Sequence, residues 1–375
     1  ARLTDDGAAA ARHGTARDLL LRADRMMSDP LSGIAAPMQQ LASSVQAVMA
    51  DPASLAARQV LLADAGAVAD RFAQIDSGLV HLDREIDGRM EESVATANTL
   101  IDDIARLNQR IAQSSVGNNG APPGDLLDQR DEAVRQLAEQ VGVTTLTQDN
   151  GSLSVFLEDG QPLVLDGSAR HLALVPTTAG GRYRIELESP GGNVPVGRPA
   201  GGALAGLMDA RTQAVDAPRA ALAQLADEIA GQFNTAQAAG QDLDANPGTD
   251  LFSSPPLQVL LTDPRALAPA GPPPAGVADN SAWMAVADFA GAPMAARAAE
   301  VVSRLGLAAQ QAEGRATAAQ SLAEQARTAR DSVSGVNLDE EAANLLRYQQ
   351  AYQAAAQMIA TADTVFQTLL SAVRR

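Results

Sequence analysis

A chain of 375 residues is long enough for two or three domains at the usual ~150 residues each. Its hydrophobic content of 46% is ordinary, but only 3% of residues are aromatic and much of the apolar material is alanine, so helix pairs packed through small side chains are expected rather than a large aromatic core. The absence of cysteine excludes disulfides and thiolate metal sites, and a net charge of −17 argues against nucleic acid or an anionic membrane as partner, since both require a basic surface.

All 28 basic residues are arginine. The first thirty residues hold no apolar run of signal-peptide length, and nothing later reaches the ~18 apolar residues of a membrane span. In chain order, residues 4–27 read as an amphipathic helix around Leu19, Leu20, Leu21 and Met26, stopped by Ser28-Asp29-Pro30. A second helix is expected from about Ser32 to Ala50, distorted at Pro37. Asp51-Pro52 then opens a third and much longer helix, with Pro52 expected at its first position. Met90, Ala97, Ile104 and Ile111 keep a seven-residue spacing, and Val94, Ile101, Leu100 and Leu107 fill the neighbouring rows, the pattern of a helix that lies along others. Residues 114–124 are a loop by composition. Asp125 is expected to cap a helix running to about Gln140, on which Asp131 and Arg135 form an ion pair one turn apart on a solvated face.

At Val141 the period changes from helical to alternating. Residues 143–147, 153–157, 162–165, 171–175, 183–187 and 194–196 read as short strands separated by Asp-Asn-Gly, Asp-Gly, Gly-Gly and Pro-Gly-Gly turns. Gly201-Gly202 closes this β-rich stretch, and Ala203 resumes a helix through Leu207, Leu222, Leu225, Ile229 and Phe233. Asp242, Asp244 and Asn246 have the spacing that opens a calcium loop, but Pro247 stands where the loop needs glycine and Ser253 where it needs glutamate, so a polar turn is expected. Residues 253–278 are Pro-rich, with a strand expected only at Leu257–Leu261. Trp283 reads as a packing anchor in a short helix, and a long Ala-rich helix follows from Met294 to about Val333. His13, His81 and His171 lie in separate elements, and no nucleophile-base arrangement, phosphate loop or metal-ligand spacing is present. No catalytic, metal or cofactor residue is assigned, and the chain does not read as an enzyme.

The C-terminal stretch carries the strongest pattern. Steps of seven from Leu338 reach Leu345, Tyr352, Ile359, Phe366 and Val373, all apolar, and a companion row passes through Glu341, Tyr348, Ala355, Ala362 and Leu369. Asn337 is expected to cap this helix, with Asp339, Glu340 and Glu341 against the positive end of its dipole. Burying five large seam side chains contributes on the order of 10 kcal/mol at ~1.5–3 each, whereas a lone helix is marginal in water. The helix therefore expects a partner.

Ser-Gly-Val-Asn-Leu-Asp-Glu-Glu at residues 334–341, followed by Leu345, Arg347-Tyr348-Gln349-Gln350, Tyr352, Thr361-Ala362 and Phe366, resembles the C-terminal signature of flagellar axial proteins. Asp51-Pro52-Ala53 with Ala57-Arg58-Gln59, then Leu126-Leu-Asp-Gln-Arg-Asp131, Gly206-Leu-Met-Asp-Ala-Arg211 and Phe233-Asn-Thr235, appear in order and are most similar to the hook-associated protein 1 family. The resemblance implies an α+β multidomain fold, a long antiparallel helical bundle or coiled coil with an inserted β-rich domain. The domains expected are 1–140 and 203–333 as two parts of a helical domain, the second with the Pro-rich loop 253–278, then 141–202 as the β insert and 334–375 as a coiled-coil helix. It also implies a structural subunit at the hook-filament junction, exported through the flagellar type III system, secreted and extracellular. Its partners would be copies of itself, hook protein, hook-associated protein 3 and the flagellar export chaperone. Leu338, Leu345, Tyr348, Tyr352, Ile359, Phe366, Leu369 and Val373 would carry the polymer and chaperone contacts. Members of the family begin with an apolar, Asn-rich arm that pairs with the C-terminal helix, and this sequence reads as lacking it. The alternatives are an adhesin or binding module that uses the β-rich domain, or an axial protein of the hook-associated protein 3 type.

Overall fold

The structure, a computed structural model, describes residues 2–29, 33–117, 124–148, 151–177, 182–189, 191–334 and 338–373. They form two compact units, residues 1–323 and 324–375.

The spine of the first unit is α3 (Leu55–Gly117), 63 residues and roughly 94 Å long at ~1.5 Å per residue. Its buried positions recur every seven residues, through Leu61, Val68, Ile75 and Leu82 and then Met90, Ala97, Ile104 and Ile111. A helix of that length keeps so regular a stripe inside only by having other elements along it, and α1 (Arg2–Ser28), α2 (Ala35–Ala50), α4 (Gly124–Val141), α5 (Gly202–Ala210) and α6 (Ala217–Ala239) all pack on it. In α1 the core side chains are Leu19, Leu20 and Met27, while Leu21 and Met26 are half-buried. After α7 (Met284–Ala290) comes α8 (Ala292–Ser334), antiparallel to α1: Arg17 faces Glu313 at 4.0 Å, and a Cβ on Gly306 would lie 3.4 Å from Asp24. In the first unit α8 buries Leu305, Ala309, Ala312, Ala316, Ala319 and Ala323, the alanine packing that the composition anticipates.

Three helix starts differ from expectation. The second helix begins at Ala35, so Pro37 sits in its first turn, where its missing N–H costs no helical bond and distorts nothing. The third begins at Leu55: Asp51-Pro52 is a turn outside it, and Ser54 Oγ accepts from the Ala57 N–H at 3.3 Å in the manner of a cap. The fourth includes Gly124, which places Asp125 inside the first turn as a favourable charge rather than as the cap. Arg135 also takes other partners than expected, Glu132 at 2.9 Å and Glu139 at 2.6 Å, because Asp131 is less well placed than residues three before and four after.

The β region lies between α4 and α5. Strands β1 (Val143–Thr147), β2 (Leu153–Leu157), β3 (Pro162–Leu165) and β4 (Ser168–Ala169) form one antiparallel sheet in that order. Strands β5 (Leu172–Pro176), β6 (Tyr183–Leu187) and β7 (Val194–Pro195) form a second. Asp149, Asn150, Pro190 and the Gly180-Gly181 turn lie outside the described residues, as does most of the 114–124 loop. The chain enters and leaves this region through a neck only glycine fits. Gly142 and Gly202 have φ of +62° and +79°; a Cβ on Gly142 would lie 2.8 Å from Gly201 Cα, and one on Gly202 would lie 2.4 Å from Val141 N.

The expected strand at 257–261 is only Gln258–Val259 (β9), paired with Phe252–Ser253 (β8), because neighbouring prolines leave few amides to pair. At 242–246 there is a polar turn, with Asp242 Oδ1 accepting from the Asp244 and Asn246 N–H groups, both at 2.8 Å. Trp283 ends a single 3-10 turn and is fully buried, edge-on to Phe233 at 6.2 Å. No helix among the described residues is long and apolar enough to cross a membrane, and no cluster of three His, Asp or Glu among them could hold a metal.

Candidate functional site

The second unit contains α9 (Leu338–Val373), a single uninterrupted helix of 36 residues. Asn337, the expected cap, lies outside the described residues, and Asp339, Glu340 and Glu341 occupy the first turn. Leu338, Leu369 and Val373 belong to α9, but their side chains lie outside the described residues. The other five seam positions are exposed: Leu345 by 64%, Tyr348 by 74%, Tyr352 by 78%, Ile359 by 71% and Phe366 by 61%. Every residue from Leu345 to Gln367 is exposed, on the apolar face and on the polar one alike.

A straight α-helix drifts ~20° per heptad, so from Leu345 to Phe366 the seam turns by only about 60° and stays on one side. Met358 and Val365, seven residues apart, extend it on the side of Ala355 and Ala362, each more than half exposed; neither is among the expected contact residues, although their spacing carries the same signal. The only polar functional groups on the seam's line are the phenols of Tyr348 and Tyr352 and the carboxylate of Asp363, which stands one turn from both Ile359 and Phe366, and they do not converge on a common point. Its chemistry is that of a contact surface.

The first unit is held by buried and half-buried polar side chains that each reach a distant segment of the chain. Asn108 binds Leu153 from both sides, Nδ2 donating to its carbonyl at 2.8 Å and Oδ1 accepting from its N–H at 3.1 Å. Asn98 does the same to Leu172, at 2.9 and 2.8 Å, so both sheets are fastened to α3. Asn234 of α6 accepts from the Leu251 and Phe252 N–H groups at 2.9 and 3.0 Å. Arg58 donates to the carbonyls of Pro52 and Leu267, and burial pushes its guanidinium down to about 10, which leaves it cationic at neutral pH. Arg130 reaches the Gly151 carbonyl at 2.9 Å, and burial lowers its pKa as well. A π-helical segment, Arg211–Asp216, joins α5 to α6 and aims Arg211 at Asp83 (2.9 Å) and Asp87 of α3.

Comparison with known proteins agrees with this architecture. Residues 20–252 match the helical domain of flagellar hook-associated protein FlgK, and residues 329–372 match the C-terminal region described for flagellar basal body rod FlgEFG proteins. Over 243 residues the chain is 33% identical to flagellar hook-associated protein 1 of Salmonella typhimurium, which covers 64% of this chain and 44% of the relative. The protein of that name from Escherichia coli K12 is 27% identical over 460 aligned positions, covering 95% of this chain and 84% of the relative. The solved structure of the flagellar hook junction protein FlgK from Burkholderia pseudomallei has a TM-score of 0.60 at 30% identity, over 67% of this chain and 46% of that one. The chain thus spans less than half the length of the Salmonella relative. With the helical-domain match running from the middle of α1 to the end of β8's first residue, across more than half of the sequence, the chain belongs to the flagellar hook-associated protein FlgK family.

Proposed function

We propose that this chain is a structural subunit of the bacterial flagellum at the hook-filament junction, assembling through α9, and that it has no catalytic role. The observation that carries the reading is the exposed heptad stripe of α9, Leu345 to Phe366, on a stretch that matches the C-terminal region of rod proteins. Two features of the fold support it. α1 and α8 are antiparallel, so α1 begins at the same end of the first unit at which α8 leaves it. The second feature is the net charge of −17, which suits protein partners rather than anionic membranes or nucleic acid.

In this reading the subunit leaves the cell through the flagellar type III channel and adds beyond the hook. Leu338, Leu345, Tyr348, Tyr352, Ile359, Phe366, Leu369 and Val373 meet copies of the chain, and before export they meet the export chaperone. Hook protein on one side and hook-associated protein 3 on the other complete the partners, and the assembled protein is extracellular. Deleting the gene and viewing cells by negative stain tests this: hooks without filaments are expected, restored by the gene in trans. Normal filaments in the deletion strain would end the proposal.

A further inference from the structure

Of the strands at sheet edges, β4, β7, β8 and β9 have two residues each, and β7 carries Pro195, which has no amide to offer. β5 is longer, but Asn98 occupies both the N–H and the carbonyl of Leu172, and the strand ends on Pro176. β1 has none of these protections. Val143-Thr144-Thr145-Leu146-Thr147 consists of β-branched residues and one leucine, with no charge, no proline and no bulge, in a chain of charge −17. It pairs with β2 alone, and every residue from Thr144 to Thr147 is exposed, Leu146 by 58%. The turn into β2 fixes which way its backbone points. The Gln148 N–H donates to the Ser152 carbonyl at 2.9 Å, and the bonds of an antiparallel ladder alternate, so Leu146 and Thr144 turn their amides toward β2. Thr145 and Thr147 therefore turn their N–H and C=O groups outward, where no backbone partner stands among the described residues.

We propose that β1 of one copy pairs antiparallel with β1 of a second copy, about a two-fold axis through Leu146. This register uses every open group: Thr145 exchanges two hydrogen bonds with Thr147 of the second copy, and Thr147 two with Thr145 of the second copy. A register centred on Thr145 would need Val143, which is only 4% exposed. At the axis Leu146 meets Leu146 of the second copy in a non-hydrogen-bonded pair, the position at which side chains come closest, so the exposed leucine is covered. Two copies each carrying −17 repel wherever acidic faces meet, whereas these two strands bring no charge to the contact. The contact is isologous, so it closes at two copies and withdraws the open edge from endless strand addition. Five residues a side bury far less than the ~800 Å² per partner of a standard interface, so the pair forms where copies are crowded and separates on dilution. β1 belongs to the first unit, and the inference does not depend on the reading of α9.

The chain has no cysteine, which makes an introduced thiol unique. Across the two-fold axis Leu146→Cys faces itself with Cα atoms ~4.5 Å apart, within the range of a disulfide. Thr144→Cys, on the same face of the same strand, lies four residues out of register with its own copy, roughly 13 Å away. Oxidised at high concentration, the full chain with Leu146→Cys should give at least ten times the disulfide dimer of the chain with Thr144→Cys. Adding Thr145→Pro removes one outward N–H at no cost to the ladder with β2, and should lower the Leu146→Cys yield at least tenfold, while Thr145→Val should not; circular dichroism checks that both remain folded. In sedimentation, Leu146→Glu or Leu146→Arg alone should abolish the concentration-dependent pairing, and mixing the two variants should restore it. Equal yields from the two thiols, indifference to Thr145→Pro, failure of the mixture to pair, or a monomer at every concentration would each overturn the proposal. Tyr352→Asp should leave the Leu146→Cys yield unchanged; its loss would mean that copies meet through α9 and that β1 does not pair them. Normal filaments in the deletion strain would end the junction reading and leave the β1 pairing standing.

Discussion

Replacing Asn108 by alanine should detach the β1–β4 sheet from α3 while the rest of the first unit stays folded. Asn108 is 1% exposed, and its side chain satisfies the N–H and carbonyl of Leu153 together with the carbonyl of Asp166. Asp166 is exposed, so water can replace the lost donor there. Leu153 is 7% exposed, and its two backbone groups would stay dry and unpaired. At ~1–3 kcal/mol for each of the two buried groups left unsatisfied, the loss is about 2–6 kcal/mol, a large fraction of the ~5–15 kcal/mol that holds a typical fold. Native-state hydrogen exchange at Val155 and Val164, both fully buried in this sheet, should accelerate by about 30-fold to about 20,000-fold, at ~1.4 kcal/mol per decade. Trp283 serves as the internal control, because it packs on Phe233 at the other end of the helical layer. Its fluorescence transition in urea should move far less than the exchange at Val155. An exchange change below about threefold, or a Trp283 shift equal to that of the sheet, would refute the idea that Asn108 is the local fastening.

Arg58→Met keeps the volume but leaves the carbonyls of Pro52 and Leu267 without their donor, so urea denaturation should show a loss of about 2–4 kcal/mol, with Trp283 reporting it. Asp279 is held below the usual carboxylate range, first by the Ser281 hydroxyl and then by the Gly271 N–H. A depressed folded pKa gives stability that is present above 3.8 and lost as pH falls through the lower folded value, so the protection of the Gly271 and Ser281 amides, measured against their intrinsic exchange at each pH, should fall in acid, and Asp279→Asn should remove that pH dependence. In the free chain the amides of α9 should exchange quickly, because a lone helix with an uncovered stripe is marginal. Export chaperone or assembled hook should slow them, and Tyr352→Asp should abolish the slowing.

The long helices and most strands were legible because each repeats a pattern over many residues. Seven-residue spacing along Met90 to Ile111 and alternation along Leu153–Leu157 survive any single misreading. Features that depend on one residue were less legible. Pro37, Pro52 and Asp125 each mark a helix start, but which turn each occupies depends on neighbours the local pattern does not contain. Strand β4 has two residues and β8 and β9 two each, too short for any period to show. The clamping asparagines, Asn108 buried and Asn98 half-buried, were invisible for a further reason. Asn98 and Asn108 on a helix have the composition of a solvated face, and the segments they bind lie 74 and 45 residues away. Yet Arg58, Arg130, Arg211 and Asn234 all fall inside the short motifs that carried the family resemblance, and in the structure each ties a helix to a remote backbone or helix. Those motifs are recognisable because a buried polar bracket tolerates little change: losing either partner strands the other.

That same economy explains why α9 can stay uncovered. The core of the first unit closes without it, running from Ala8 through Ala312, and the glycine neck, the Asn clamps and the Arg211 pairs fix its parts to α3. Large apolar side chains from Leu345 to Phe366 therefore contribute nothing to that core, although their burial is worth on the order of 10 kcal/mol. A fold that needed this free energy would have turned the stripe inward. An exposed stripe can stabilise only a state in which another apolar surface lies against it, so in the proposed function its contribution appears on assembly. Interspersed glutamine and alanine between Tyr348 and Ala362 keep the exposed surface from being continuously apolar, and the net charge of −17 opposes indiscriminate association of free chains. In the function proposed above, the first unit holds its own core and α9 gains its stability in company, the division of labour expected of a subunit that remains separate until it reaches its place in a polymer.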